Sequence, residues 1–390
     1  MRGKDAVLSP EVPVAVKRAI SFSIAFLVLI VPPSAAPDSG SETPFTFQSA
    51  RPGYTYVFPQ DHGSHDDYRT EWWYYTGHLT APGGRRFGYQ LTFFRRAVDS
   101  AEVRSNPSRW AIRHLYLAHA ALSDVVEDRF MFAEKLSRAA LGRAGADTGR
   151  LNVWIDRWTA SSASADHTEH HLGASTDRFD LNLTVKADKS PVVHGMDGIS
   201  RKGGGGQASH YYSLTRLATS GTVTLDGTTY VVGGSSWMDH EFGSTDLGED
   251  VIGWDWFSVQ LNNGTELMLY LLRDVDGHPD SASSGTLVLA DGRAEHLALQ
   301  DFHVEVLDHW TSGTSRARYP SRWRIAVPSR RITIELTPLL MDQELRTARS
   351  TQVTYWEGAV AVRGRTGDAA IDGQGYVELT GYAERFRQKL

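Results

Sequence analysis

The stretch "WWYYTGHL", residues 72–79, returns in altered form as "WDWFSVQL", residues 254–261. Each copy is followed by a polar turn and then by an apolar run that ends in arginine, "YQLTFFR" (89–95) or "LMLYLLR" (267–273). Aromatic and branched residues favour strands, and two such runs around a short polar turn predict a β-hairpin. The sequence therefore predicts one Trp-rich hairpin in each half of the chain.

Two more pairs of similar segments follow these hairpins in the same order. They are "DLNLTVKADKSPVV" (180–193) with "RITIELTPLL" (331–340), and "GTVTLDGTTYVVGGSSW" (221–237) with "GAVAVRGRTGDAAIDGQGYVEL" (358–379). An ordered set of similar segments indicates a duplicated unit.

Each copy has room for eight or more strands, which suits a closed or nearly closed antiparallel barrel that holds one small ligand. We predict an all-β protein of two tandem lipocalin-like antiparallel β-barrel domains, residues 45–240 and 241–390. A helical pattern is found only in "SDVVEDRFMFAEKLSRAALG", residues 123–142.

The N-terminal segment has the pattern of an export signal. Lys17 and Arg18 precede 13 residues without a charge, Ala19–Val31, and small residues follow in "PPSAAP". A membrane span needs about 20 apolar residues, so a cleaved signal peptide fits this run better than an anchor. We predict a signal peptide at 1–36, a linker at 37–44, and a periplasmic or secreted protein; an uncleaved N-terminal membrane anchor stays open as the alternative.

Composition limits the partners and the chemistry. The 390 residues carry a formal net charge of −6, which gives no basis for nucleic-acid binding. The absence of cysteine excludes disulfides, thiolate metal sites and thiol nucleophiles. An apolar small-molecule ligand is the expected partner, and a transient contact with a membrane surface stays open. The sequence does not define the oligomeric state.

Two carboxylates share strand faces with apolar residues. Side chains alternate along a strand, so Glu71 faces the same way as Trp73 and Tyr75, and Asp255 the same way as Phe257. A carboxylate in apolar surroundings is paired, lies at a barrel rim, or stays protonated. For both residues a structural ion pair and a functional role are open.

A third acidic site is "SSWMDHEFG", residues 235–243. Alternation places Asp239 and Glu241 on one face of a strand and His240 on the other. A polar linker is the alternative to a functional cluster.

In the first polar loop, His62 and His65 suggest a metal site, but turn capping and hydrogen bonding explain this loose pattern better, and no metal is predicted.

Four segments together resemble the AttH-like, carotenoid 1,2-hydratase superfamily: "DHGSHDDYRTEWWYYTGHL", "SWMDHEFG", "GWDWFSVQLNNGTELMLYLLR" and "GQGYVELTGY". The resemblance covers most of residues 45–385. The superfamily has two lipocalin-like domains and includes enzymes that hydrate isolated alkenes, relatives that guide pericyclic cyclisations, and proteins labelled secreted hydrolases. It implies a ligand site between or within the barrels. The residues carried over by motif are Trp237, Asp239, His240, Glu241, Trp254, Asp255 and Trp256.

We therefore predict a hydratase or lyase that protonates an alkene and adds water without a cofactor. Asp255, clasped by two tryptophans, is the expected proton donor, and Asp239 or His240 is expected to orient the water. Aromatic faces stabilise a carbocation. The predicted ligand-binding residues are Trp72, Trp73, Tyr75, Trp237, Glu241, Trp254 and Trp256. A non-catalytic carrier of lipids or isoprenoids is the alternative, ahead of a secreted hydrolase or a cyclase.

Overall fold

Two antiparallel sheets account for nearly all of the regular structure. The structure is a computed structural model and describes residues 46–98, 103, 105–108, 110–164 and 166–386. The predicted signal peptide and linker lie outside these residues. Export stays a prediction, which mass spectrometry of the mature N-terminus tests. Among the described residues, no helix is long and apolar enough to cross a membrane.

The first sheet has 13 strands. They are β1 Thr70–Thr80, β2 Arg86–Ala97, β3 His114–Asp124, β4 Arg129–Arg138, β5 Ala144–Ala146, β6 Asn152–Ile155, β7 Trp158–Ser162, β8 Glu169–Ser175, β9 Phe179–Ala187, β10 Val192–Val193, β11 Ser200–Arg201, β12 Ala208–Leu225 and β13 Thr228–Gly243. The main path runs β4-β3-β2-β1-β13-β12-β9-β8-β7-β6-β5. Contacts of β6 with β3 and β4 bring the two ends of this path together, so the sheet is nearly a barrel.

The second sheet has 10 strands and forms a half-barrel. They are β14 Gly253–Leu261, β15 Glu266–Arg273, β16 Ser284–Val288, β17 Ala294–Ala298, β18 His303–Thr311, β19 Arg318–Val327, β20 Ile332–Pro338, β21 Glu344–Arg346, β22 Thr354–Thr366 and β23 Ala369–Leu379. The path is β17-β16-β15-β14-β23-β22-β20-β19-β18. The all-β, lipocalin-like prediction is confirmed. The chain passes from the first sheet to the second between Gly243 and Gly253. The domain boundary predicted after residue 240 falls inside β13.

The two predicted hairpins occupy equivalent places. The first pairs β1 with β2, and the second pairs β14 with β15. The helical pattern noted within 123–142 does not form a helix. Arg129–Arg138 is a strand that pairs with β3 from Asp124↔Arg129 to Leu115↔Arg138. Cross-strand pairing has overridden the local helical pattern.

Each sheet encloses its own apolar core, and a third core joins the sheets. Trp73, Tyr75 and Phe93 belong to the first, and Phe257, Trp323 and Val377 to the second. The third core contains Tyr74, Tyr211, Trp237, Trp256, Tyr270 and Tyr376. Successive residues of β1 and β14 thus serve different cores, because their side chains point to opposite faces.

Polar contacts also join the sheets. Glu266 of β15 accepts bonds from Lys189 Nζ and Arg216 Nε, both at 2.6 Å. At Gly88 a Cβ atom would lie 2.7 Å from the Ala359 Cβ and 2.8 Å from the Tyr376 hydroxyl. Glycine is required there because any larger residue would push the sheets apart.

Candidate functional site

A cavity of about 230 Å³ lies between the two sheets, on the face of each sheet that points away from its own core. We call it the intersheet cavity. Many aromatic side chains and three acidic residues contribute to its walls. The residues that matter for its chemistry are Trp72, Tyr74, Tyr211, Asp239, Glu241, Trp254, Trp256, Tyr270 and Glu378.

Strand alternation decides which predicted ligand-binding residues reach the cavity. Trp72 of β1 and Trp254 and Trp256 of β14 line it. Trp73 and Tyr75 do not, because they point into the core of the first sheet. Trp73 Nε1 donates to the His62 carbonyl at 3.0 Å, and the Tyr75 hydroxyl lies 3.0 Å from His170 Nδ1. Their predicted contact with the ligand is therefore corrected to a structural role.

Asp239 of β13 is the acidic residue most directly set in aromatic surroundings. Its Oδ1 accepts a 2.6 Å bond from Trp237 Nε1 and a short bond from the Ser213 hydroxyl. His194 Nε2 lies 2.6 Å from the same hydroxyl. Burial raises the pKa of Asp239 to about 7, against the lowering effect of these hydrogen bonds. Trp237, a predicted ligand-binding residue, belongs to the third core and is not among the residues that line the cavity, so it acts on the site by orienting Asp239.

Glu241 is the paired carboxylate of the cavity. Lys202 Nζ lies 2.6 Å from its Oε1, which also accepts a bond from the Ser209 hydroxyl. The same ammonium group lies over the rings of Tyr211 and Tyr270, at 5.5 and 5.2 Å from their centroids. Lys202 therefore neutralises Glu241, and no ion pair to Asp239 forms within the part of the chain that the structure describes.

Sequence reasoning missed Glu378 of β23, which lines the cavity, and Glu357 of β22, which is buried close by. Both lie on strands whose other face is apolar, in "YWEGAV" and "GYVELT". The sequence signal for these residues was a glutamate on the strand face opposite the apolar one. That signal was not decisive, because this face of a strand is ordinarily exposed to solvent and often carries charged residues.

His240 points away from the cavity, into the first sheet. Its Nε2 lies 2.8 Å from Glu71 Oε1 and its Nδ1 lies 3.0 Å from the Tyr212 hydroxyl, while its ring stacks on Trp73. The predicted water-orienting role beside Asp239 does not fit this placement. The cause is the alternation that separates neighbouring residues of β13.

Glu71 lies in the same internal network. Arg95 Nε donates to its Oε2 at 2.9 Å, and His65 Nδ1 lies 2.8 Å from its Oε1. Burial alone would raise the pKa of Glu71, but Arg95, His240 and His65 hold it well below the usual range. The ligand atoms of His65, Glu71 and His240 are close enough to hold one metal ion. The carboxylate is already charge-balanced by Arg95.

Asp255 points into the second sheet, away from the tryptophans on either side of it. Arg273 Nε donates to its Oδ1 at 2.8 Å, and the Tyr382 hydroxyl lies 3.0 Å from both of its oxygens. Burial raises the pKa of Asp255, while Arg273 and Tyr382 oppose the rise. The expectation that Trp254 and Trp256 clasp this carboxyl is corrected, since they line the cavity and Asp255 does not.

These features define a class: a two-sheet, lipocalin-like β-protein with a cavity between its sheets that is lined by aromatic side chains and contains buried carboxyls. Within that class, the chain belongs to the AttH-like family, whose model matches residues 49–382. No curated protein matches the sequence significantly.

Solved structures agree with this assignment. One from Nitrosomonas europaea, assigned as an AttH, is 34% identical with a TM-score of 0.77, and the match covers 86% of this chain and 99% of that one. Kievitone hydratase from Nectria haematococca is 16% identical with a TM-score of 0.66, covering 87% and 98%. CghA with Sch210972 is 14% identical with a TM-score of 0.54, covering 86% and 96%. The last two similarities show a shared fold.

Proposed function

We propose that this protein is a cofactor-independent hydratase that adds water to a carbon–carbon double bond of an apolar ligand in the intersheet cavity. The observation that carries the proposal is Asp239, a buried carboxyl whose pKa is raised to about 7 beside an aromatic cavity. A carboxyl kept neutral by its surroundings is a proton donor at neutral pH.

Several hydrogen bonds hold the Asp239 carboxyl in place. Oδ1 accepts from both Trp237 and Ser213, and the Tyr211 hydroxyl also bonds to the carboxyl. The raised pKa keeps a proton on this carboxyl. The double bond takes that proton to form a C–H bond and a carbocation. Water then forms the C–O bond and loses a proton, so the net reaction is the addition of one water molecule.

The cavity walls suit the positive charge that develops in this reaction. Trp72, Trp254 and Trp256 line the cavity, and an aromatic face attracts a cation through its quadrupole. Trp256 is held by its Nε1, which donates to the Tyr211 hydroxyl at 3.0 Å. The ring face is therefore held in place before the ligand binds, which favours stabilisation of the transition state.

The name of one similar structure supports this choice of reaction, and an apolar cavity also supports a second function. The fold is shared with kievitone hydratase, and with CghA in a structure that contains Sch210972. A non-catalytic carrier of an isoprenoid or acyl chain would use the same aromatic walls. A carrier has no need of a neutral carboxyl at Asp239, so this residue separates the two functions.

The test is hydration of an acyclic isoprenoid with a trisubstituted double bond, such as farnesol, in oxygen-18 water. We expect the wild type to form a labelled alcohol, detected by mass spectrometry. Asp239→Asn keeps an oxygen to accept from Trp237 and Ser213 but has no acidic proton. Its rate should fall by about 10²–10⁴-fold with little change in farnesol affinity.

Asp177→Asn is the matched control, because Asp177 is exposed in the turn between β8 and β9. It should hydrate farnesol at the wild-type rate. Farnesol binding without labelled product, in the wild type as in Asp239→Asn, would assign the protein as a carrier. Equal rates in the wild type and Asp239→Asn would remove Asp239 as the donor.

A further inference from the structure

Two glutamates face each other across neighbouring strands of the second sheet. Glu357 of β22 and Glu378 of β23 are direct partners in the antiparallel register. Glu357 is 1% exposed, and Glu378 lines the intersheet cavity. Like charges directly opposite each other on a sheet are destabilising. Two ionised carboxylates at these positions would therefore repel each other in a region that excludes water.

The charge of Lys202 offsets that repulsion only weakly, because burial and the charges of Asp239 and Glu241 outweigh it at Glu378. Among the described residues, neither glutamate forms an ion pair, and Lys202, the lysine on the cavity wall, pairs with Glu241. The Tyr74 hydroxyl donates a short bond to Glu357 Oε1, and Trp254 Nε1 donates to Glu378 Oε2 at 3.2 Å. Both hydrogen-bond partners are neutral, so a proton held by the pair is what relieves most of the repulsion.

Two buried acceptors at this end of the cavity have no partner among the described residues. They are Glu357 Oε2 and Gln90 Oε1, and Gln90 lines the cavity and is 2% exposed. An unpaired buried acceptor is costly, and a charged one more so. A proton on Glu357 would remove the charge from the first, and water or a polar ligand group beside Gln90 would satisfy the second. The glutamate pair thus borders a place suited to water.

The pKa values of both carboxyls are raised, but not to the same extent. Burial, and then the charge of Glu378, raise the pKa of Glu357 well above its usual range. Burial raises the pKa of Glu378 to about 7. Near neutral pH, Glu357 is the member that keeps the proton, and Glu378 is the member that exchanges one.

We propose that Glu357 and Glu378 share a proton and that Glu378 is a second catalytic residue, the base that takes a proton from the attacking water. This inference rests on the proposed function. Asp239 gives its proton to the alkene, the water oxygen bonds to the resulting cation, and Glu378 removes one proton from that oxygen. The proton then returns from Glu378 to Asp239 through water in the cavity, which restores both groups.

Infrared spectroscopy tests the shared proton without any substrate. In an Asp239→Asn background, the carbonyl band of protonated carboxyl groups is followed against pH. Glu378→Gln removes the like charge that raises the pKa of Glu357, so Glu357 should lose its proton about one pH unit or more lower than it does in the parent. Glu357→Gln replaces a carboxyl that is neutral near pH 7, so Glu378 should titrate as it does in the parent, and the part of the band that persists at higher pH should be lost.

Glu127→Gln, in the exposed turn between β3 and β4, is the control and should leave the band unchanged. Two variants are used so that one unfolded protein does not end the test. Identical titrations in Glu357→Gln, Glu378→Gln and the parent would show that the two carboxyls are not coupled and would overturn the shared proton.

The pH dependence of farnesol hydration tests the catalytic role. The rate should rise as Glu378 ionises and fall as Asp239 ionises, which gives a bell near neutral pH. Glu378→Gln should slow the reaction by about 10²–10⁴-fold and abolish the acidic limb only. A wild-type rate and bell in Glu378→Gln would overturn this role while the hydratase stands. No hydration by the wild type would overturn the proposed function. The infrared titration would still test whether Glu357 and Glu378 share a proton.

Discussion

At the scale of single residues, Asp255 shows how a buried carboxyl can be structural. It is paired with Arg273 and Tyr382 inside the second sheet, and the Arg273 guanidinium lies 3.8 Å from the Tyr382 ring centroid. Removing one partner of a buried ion pair commonly costs about 3–5 kcal/mol, because the other charge stays buried. We expect Asp255→Asn to lower the free energy of unfolding in urea by that order.

The same variant separates an anchor from a catalyst. Asp255→Asn should keep its farnesol hydration rate at temperatures where it is folded, since the carboxyl does not line the cavity. A lost rate with unchanged unfolding free energy would instead return Asp255 to the role of proton donor. A double-mutant cycle with Arg273→Met measures how much of the cost belongs to the pair.

His65 gives a prediction for alkaline pH. Burial lowers its pKa, but Asp61 and Glu71 raise it further, to about 9 from 6.5. A raised pKa stabilises the fold fully below the unfolded-state value and ceases to do so as pH rises through the folded-state value. Between about pH 7 and about pH 9.5 the wild type should lose on the order of 2–3 kcal/mol of unfolding free energy from this group.

His65→Gln is the check, because glutamine does not titrate. Urea unfolding at the two pH values should show a smaller loss in the variant than in the wild type. An equal loss in both proteins would mean that His65 is not protonated in the fold. The depressed pKa values of buried histidines such as His119 act only below about pH 6.5, so they do not enter this window.

At the scale of strands, alternation was the most informative feature of the sequence and also the reason for its errors. It correctly separated Asp239 and Glu241 from His240. It also placed Asp255 with Phe257, on the face opposite Trp254 and Trp256. The proton-donor hypothesis failed on placement because it took sequence neighbours of Asp255 for spatial neighbours, which a strand does not allow.

Both faces of β1 are apolar, and this limited what the sequence could show. Trp73 and Tyr75 pack in the first sheet, whereas Trp72 and Tyr74 face the second sheet. A strand that is apolar on one face identifies its buried side, but a strand covered on both faces does not. The ligand-facing side of the aromatic run could therefore not be chosen before the partner sheet was known.

At the scale of the whole molecule, the duplicated hairpins predicted two barrels but not the space between them. The predicted ligand site lay between or within the barrels. The structure places a cavity where β1 and β13 face β14, β22 and β23. Gly88 and the carboxyls of Glu357 and Glu378 belong to that junction, and no local pattern relates residues so far apart in the chain.

The junction makes ligand binding measurable in solution through its tryptophans. Trp72, Trp254 and Trp256 line the cavity, so a ligand there should alter their fluorescence. Titration of the wild type with farnesol should give saturable quenching. Trp254→Phe and Trp256→Phe should each reduce the amplitude, whereas Trp110→Phe should not, because Trp110 is 57% exposed outside the cavity. Quenching that survives both cavity substitutions at full amplitude would place the ligand elsewhere. A flat titration with farnesol and with acyl chains alike would contradict the carrier and the hydratase together, since both require an apolar molecule between the sheets.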